Sequence, residues 1–309
     1  MPSSRDSAPL TFGIYPGSAA GSDTGEVVAG PPDDPARIVG ALDELQGRDR
    51  HPLVVRAYRV FADADDRDRR SPAENPLAPV RYTGQGRSLD LVVQYQSRRG
   101  DTAGYCSFLR SVVAEHGPVI STLQVGINTS LLFGPAASFI DRLTQAGGQR
   151  FVDDLDYVGL DFFPDVFRPV PPGRLEAVTE GVLGQHRQDV LGPAGLGAVP
   201  LRITEHGWPT GPGRPPERQA QVVRAVVTTV AGNAGPLGLA GYTHFALRDA
   251  DSQNPGLFHQ FGLMTDDYTP KPAFHAYREL IGALSPGAGG RRGRPGSRPD
   301  TGTPPPTRP

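Results

Sequence analysis

An α/β fold of the (β/α)8 TIM-type barrel class is what this sequence predicts, on three observations. Short β-rich runs alternate with amphipathic segments along most of the 309 residues, which is the pattern of strands and covering helices. The links between them are short, so the strands run parallel with right-handed crossovers. The length suits a single barrel. Seven strands can be counted where a closed barrel needs eight. The shortfall falls around residues 119–135, where a strand-helix unit is missing. A doubly wound open sheet is the alternative. Its phosphate loop is not matched by GIYPGSAAGSDTG, residues 13–25, which has glycines but no GxGxxG leading into a helix.

The elements follow in order. Residues 10–15 (LTFGIY) form the first strand, closed by Pro16-Gly17. Residues 33–45 form a helix with Ile38, Leu42 and Leu45 on one face. Strands follow at 53–61 and 89–96, then a helix at 103–116 that Gly117-Pro118 ends. The fourth strand is 119–125, and a helix at 135–146 stops at Gly147-Gly148. A strand at 156–163 precedes a helix at 175–190, and a strand at 200–204 runs into Glu205. The helix at 216–231 buries Val222, Val226 and Val230; the last strand is 239–247 and the last helix 272–284. Residues 285–309 are rich in Gly, Pro and Arg and have no apolar periodicity, so a disordered tail is expected after a barrel domain of residues 1–284.

Composition narrows the function. A formal charge of −2 gives nucleic-acid binding no support. Cys106 is the single cysteine, which excludes an intrachain disulfide and a cysteine-built zinc site; a small buried hydrophobe is expected there. No run approaches the roughly 18 apolar residues of a membrane span. The start, MPSSRDSAPLTFGIYPG, lacks an apolar stretch behind a basic one, so a cytoplasmic protein is expected. HExxH, GxSxG and a P-loop are absent, and no metal or cofactor is expected. Lys271 is the only lysine among 31 basic residues.

In such a barrel, function collects where the strands end. The residues there are Tyr15, Arg56, Tyr58, Tyr95, Asn128, Asp161, Glu205, His206, Trp208, His244, Arg248, Asp249 and Asp251. Acids, amides, arginine and aromatic rings suit a carbohydrate, which offers hydroxyls to polar groups and C–H faces to rings.

Glu205 stands in ITEHGWPT, directly after an apolar strand. Here the sequence resembles the clan of barrel retaining glycoside hydrolases in which a glutamate ends the seventh strand, within Thr-Glu-x-Gly-Trp-Pro. Thr204, Glu205, Gly207, Trp208 and Pro209 match it. FGLMTDDYTPKPAFHAYREL, residues 261–280, is similar to the end of many such hydrolases, and a proline opens its helix where an N–H is not needed. DYVGLDFFPDVF, residues 156–167, resembles the clan's sixth strand, with Phe163-Pro164 in place of the usual Tyr-Pro. Arg56 fits a second-strand arginine that would hold the glutamate correctly aimed. The resemblance covers about residues 11–284. It implies hydrolysis of O-glycosides with Glu205 as nucleophile. It also implies a carbohydrate ligand bound by Arg56, Tyr58, Tyr95, Asn128, Phe163, His206, Trp208, His244 and Asp249.

One departure matters. Retaining glycosidases use two carboxyl groups about 5–5.5 Å apart. The clan's second one is a glutamate after an asparagine at the end of the fourth strand. Here that place reads TLQVGINTSLLFGP, and no Asp or Glu occurs between Glu115 and Asp141. Asp161 is the leading substitute for the missing acid, followed by Asp249 and Asp251. The alternative is a catalytically inactive barrel that binds a glycan or serves a non-enzymatic role.

Overall fold

The computed structural model describes residues 10–19, 30–63, 73–125, 129–130 and 136–285. Asn128 and nearly all of the expected tail lie outside them. The strands are β1 (Thr11–Ile14), β2 (Leu53–Phe61), β3 (Glu74–Asn75), β4 (Arg87–Tyr95), β5 (Ile120–Val125), β6 (Thr129–Ser130), β7 (Val158–Asp161), β8 (Leu201–His206) and β9 (Leu239–His244). The helices are α1 (Pro35–Gln46), α2 (Thr102–His116), α3 (Ala136–Asp153), α4 (Leu175–Gln185), α5 (Pro216–Gly232), α6 (Ala234–Leu237) and α7 (Pro272–Leu284).

Local chemistry accounts for the helix ends. The Asp34 carboxylate accepts from the Ala36 and Arg37 N–H groups at the start of α1. Proline opens α1, α5 and α7, where its missing N–H goes unneeded. The expected stop at Gly147-Gly148 is instead a kink: Gly148 takes φ 63°, and a further helical turn follows it within α3. The helix expected over 175–190 is α4 continued by a π-helical turn, His186–Leu191.

One sheet holds all the strands, in the order β5-β4-β2-β1-β9-β8-β7-β6, with β3 antiparallel on β2. Every ladder along that path is parallel. The first strand lies beside the last, with Gly13 opposite Thr243 and Ile14 opposite His244. The sheet is curled, and the arrangement is compatible with an incomplete barrel. The path ends at β5 and β6, and no ladder joins these two among the described residues. Only residues 126–128 separate them. Three residues reach at most about 10 Å, whereas a parallel crossover takes a dozen or more. The strand-helix unit expected to be missing around 119–135 is therefore not found between them.

The main core lies between the sheet and its helices. Phe12, Ile14, Val55, Leu160, Ile203 and Tyr242 pack there against Val222, Val223, Val226, Val227 and Val230 of α5 and Phe274, Tyr277 and Ile281 of α7. A separate small cluster under α2 holds Ala57, Leu89, Leu91, Val93 and Val112. Cys106, expected to be buried, is exposed on α2. No helix among the described residues is long and apolar enough to cross a membrane.

Candidate active site

Glu205 lies on β8, and its side chain is 16% exposed. Thr204 and Glu205 are consecutive, yet both contact groups inside the curl of the sheet. The Thr204 hydroxyl donates to Asp161 (3.1 Å), and Glu205 accepts from Tyr58 of β2 (2.5 Å). A register shift between Ile203 and His206 permits this, because a bulge re-aims the side chains around it. A second shift, between Leu160 and Asp161, sets Asp161 of β7 directly opposite Glu205.

A buried cation lies beside this carboxylate. Arg56 is fully buried, and its Nη2 lies 3.6 Å from Glu205 Oε1. The same guanidinium donates to Asp90 of β4 (2.8 Å), to Gln124 of β5 (3.0 Å) and to the Tyr58 hydroxyl (3.0 Å). Thr122 of β5 donates to the other Asp90 oxygen (2.7 Å). Burial alone would lower the arginine pKa, but the Asp90 and Glu205 carboxylates beside it raise it well above its ordinary value. Burial, and then the charge of Glu205, push the Tyr58 hydroxyl well above the usual phenol range. Tyr58 is thus a permanent O–H donor, and Arg56 a permanent cation. Four strands thereby contribute to one network that fixes the Glu205 carboxylate. Gln124 also reaches across toward β7: a Cβ on Gly159 would meet its Cδ at 3.4 Å.

Aromatic rings continue from Tyr58 along the strand ends. Tyr15 packs edge-on against Tyr58 (5.3 Å between centroids) and stacks on Phe245 (5.0 Å). Phe245 meets Phe261 (6.1 Å), which meets Phe163 (5.9 Å) and Phe258 (6.3 Å). Phe167 contacts both of the latter and is 38% exposed. Its loop is tethered: the Asp165 carboxylate accepts from Arg218 (2.8 Å) and the Val170 N–H (2.8 Å), and its carbonyl accepts from the Trp208 indole (3.1 Å).

Of the residues expected at the site, Glu205, Asp161, Arg56 and Tyr58 come together, and Phe163 lies on the aromatic arc. Others do not. His206 and His244 are fully buried on the helix-facing side, with both Nδ1 atoms on the Tyr242 hydroxyl (2.5 and 3.2 Å) and His244 packed on Tyr277 of α7. That hydroxyl donates to one ring and accepts from the other. Burial lowers the His206 pKa to about 3 and that of His244 well below its ordinary value, so both are neutral. Trp208 belongs to the main core. Asp249 is buried in a pair with Lys271 (2.7 Å) and also accepts from the Gly262 N–H (2.8 Å). The lone lysine thus neutralises a buried acid. Tyr95 shares its strand face with Leu89, Leu91 and Val93, and packs on Phe61 and Tyr105 beneath α2. Arg248 is spent on Ser18, Pro31 and Asp33. Asp90, Gln124 and Phe245 were not singled out from the sequence. Asp90 did carry a signal: a charge in the middle of an otherwise apolar parallel strand.

No described group of three His, Cys, Asp or Glu side chains is arranged to hold a metal ion.

No protein-family model matches the chain, and no curated protein matches it by sequence. Solved structures do match. A family 39 glycoside hydrolase from Bacteroides cellulosilyticus WH2 aligns at TM-score 0.56 and 14% identity over 90% of this chain and 64% of its own. A GH5_18 protein from Bifidobacterium longum subsp. infantis aligns at 0.54 and 15% identity over 90% of this chain and 80% of its own. One from Streptomyces cattleya, in complex with GlcNAc, aligns at 0.50 and 17% over 95% and 83%. The chain thus spans about two-thirds of the first of these and about four-fifths of the others. The fold of this chain is thus similar to that of these glycoside hydrolases.

Proposed function

We propose that this chain acts on O-glycosides with Glu205 as the nucleophile. The observation that carries the proposal is the hold on Glu205: one oxygen accepts from Tyr58 and lies beside the buried Arg56 guanidinium. A carboxylate fixed in this way needs no reorganisation before it attacks an anomeric carbon. Asp161 is the second carboxyl of the site. It stands on the neighbouring strand, directly opposite Glu205, and is the candidate for the acid.

The experiment is covalent trapping. A fluorosugar carrying a dinitrophenyl leaving group is expected to add one glycosyl mass to the protein, on the peptide containing Glu205. Glu205→Gln abolishes the adduct. A glycosyl adduct elsewhere, or none across a panel of sugars, overturns the nucleophile assignment. A second reading, glycan binding without turnover, is favoured by one observation: the segment between Glu115 and Asp141 has no carboxyl side chain. It predicts saturable sugar binding with no adduct.

A further inference from the structure

The aromatic arc has a chemical gradient along it. Nearest Glu205 are two tyrosines, of which Tyr58 bonds the carboxylate directly. Beyond Tyr15 the arc consists of phenylalanines alone: Phe245, Phe261, Phe163, Phe258 and Phe167. The rings touch in sequence from the carboxylate to solvent, with centroid spacings of 5.0–6.3 Å. A sugar presents hydroxyls at nearly every position, and phenylalanine rings give those hydroxyls no partner. An apolar ring loses nothing there and gains edge and stacking contacts. The outermost ring, Phe167, is also held ready, because Asp165 ties its loop to Arg218 and to Trp208. A ring fixed before binding has no ordering cost left to offset.

The bond-breaking chemistry points the same way. The place of the clan's acid, between Glu115 and Asp141, holds no carboxyl, and a leaving oxygen that is stable as an anion needs none. Phenolates leave in that form far more readily than alkoxides do. We propose that the substrate is an aryl O-glycoside whose aromatic aglycone lies against the partly exposed rings of the arc, Phe245, Phe163 and Phe258, which the buried Phe261 backs, with Phe167 as its outer contact. In the first step a Glu205 oxygen bonds to the anomeric carbon, and the phenolate departs with the electron pair of the broken C–O bond. In the second, water adds to that carbon, Glu205 leaves as carboxylate, and the proton released from water neutralises the phenolate.

This inference rests on the proposal that Glu205 attacks, and the test separates the two. Dinitrophenyl glycosides are compared with glycosyl fluorides of the same sugars, which also leave without a proton but carry no ring. Phe167→Ser is expected to lower the ratio of kcat/KM, dinitrophenyl over fluoride, roughly fivefold. An unchanged ratio overturns the aryl site and leaves the nucleophile assignment standing. If neither class of glycoside is turned over, the nucleophile assignment fails and equilibrium binding decides the aryl site. Tighter binding of a nitrophenyl glycoside than of the methyl glycoside, lost in Phe167→Ser, supports it. Equal affinities overturn it.

Discussion

The two sides of the sheet are built to different standards. Around β8, β9, β1 and β2 the strands are paired on both edges and covered by α5 and α7, each of which buries six residues. Toward β4 and β5, the 15-residue α2 buries only Val112 and His116, and Val113 and Val125 are 44% and 54% exposed. Glu205, Tyr58 and Tyr15 belong to the well-covered side. Only the Arg56 contacts to Asp90 and Gln124 reach the other. The difference shows how a site can keep its geometry beside an edge that is unpaired among the described residues. Glu205 is fixed by β2 and β8, and the sparse side supplies only polar groups that hold Arg56 in place.

The largest expected effect breaks that contrast at its strongest point. Phe274 on α7 is fully buried in the main core, so Phe274→Ala is expected to cost about 3–5 kcal/mol. Val113→Ala, on the exposed flank of α2, is expected to stay within about 0.5 kcal/mol. Urea midpoints of the two variants check this. Similar losses would mean that the α2 side carries as much of the stability as the α7 side.

The same contrast explains what could be read from the sequence. Alternating runs identified the strands and helices on both sides, and the motif around Glu205 identified its strand end. What stayed hidden was which way a side chain faces when a bulge breaks the alternation. His206 follows Glu205 directly, yet the shift in β8 sends it to the helix side. Asp249 looked like a site acid because its partner, Lys271, lies 22 residues away and meets it only in the folded chain. Tyr95 could have been placed correctly, since it falls on the same alternate positions as Leu89, Leu91 and Val93. Asn128 lies outside the described residues.

Acid tests the well-covered side in particular. Burial lowers the pKa of His206 to about 3 and of His186 to about 4, and that of His244 well below its ordinary value. The unfolded chain takes up these protons near pH 6.5, the ordinary histidine value, and the folded chain does not. The stability they contribute is complete above that pH and falls as the pH drops toward the folded values. The expected slope is about 1.4 kcal/mol per pH unit for each histidine. Urea midpoints taken from about pH 7 down to about pH 4.5 measure it. His244→Asn is expected to remove one histidine's share of the slope; an unaltered slope would mean that His244 is protonated in the folded protein.

The smallest effect on the fold concerns the sparse side. No charged residue occurs from Gly117 to Ile140, and β5 ends the sheet path with Val125 exposed. Natural edge strands carry a lysine or another charge that prevents pairing with a second chain, and β5 has none. Val125→Lys supplies one at a position already open to water. It leaves the Arg56 contacts in place, since these come from Gln124 and Asp90. Folded stability should change by less than about 0.5 kcal/mol, while light scattering during refolding should fall. Equal scattering from both proteins would show that the edge is covered in solution. The contrast between the two sides would then be smaller than the strand pairing indicates.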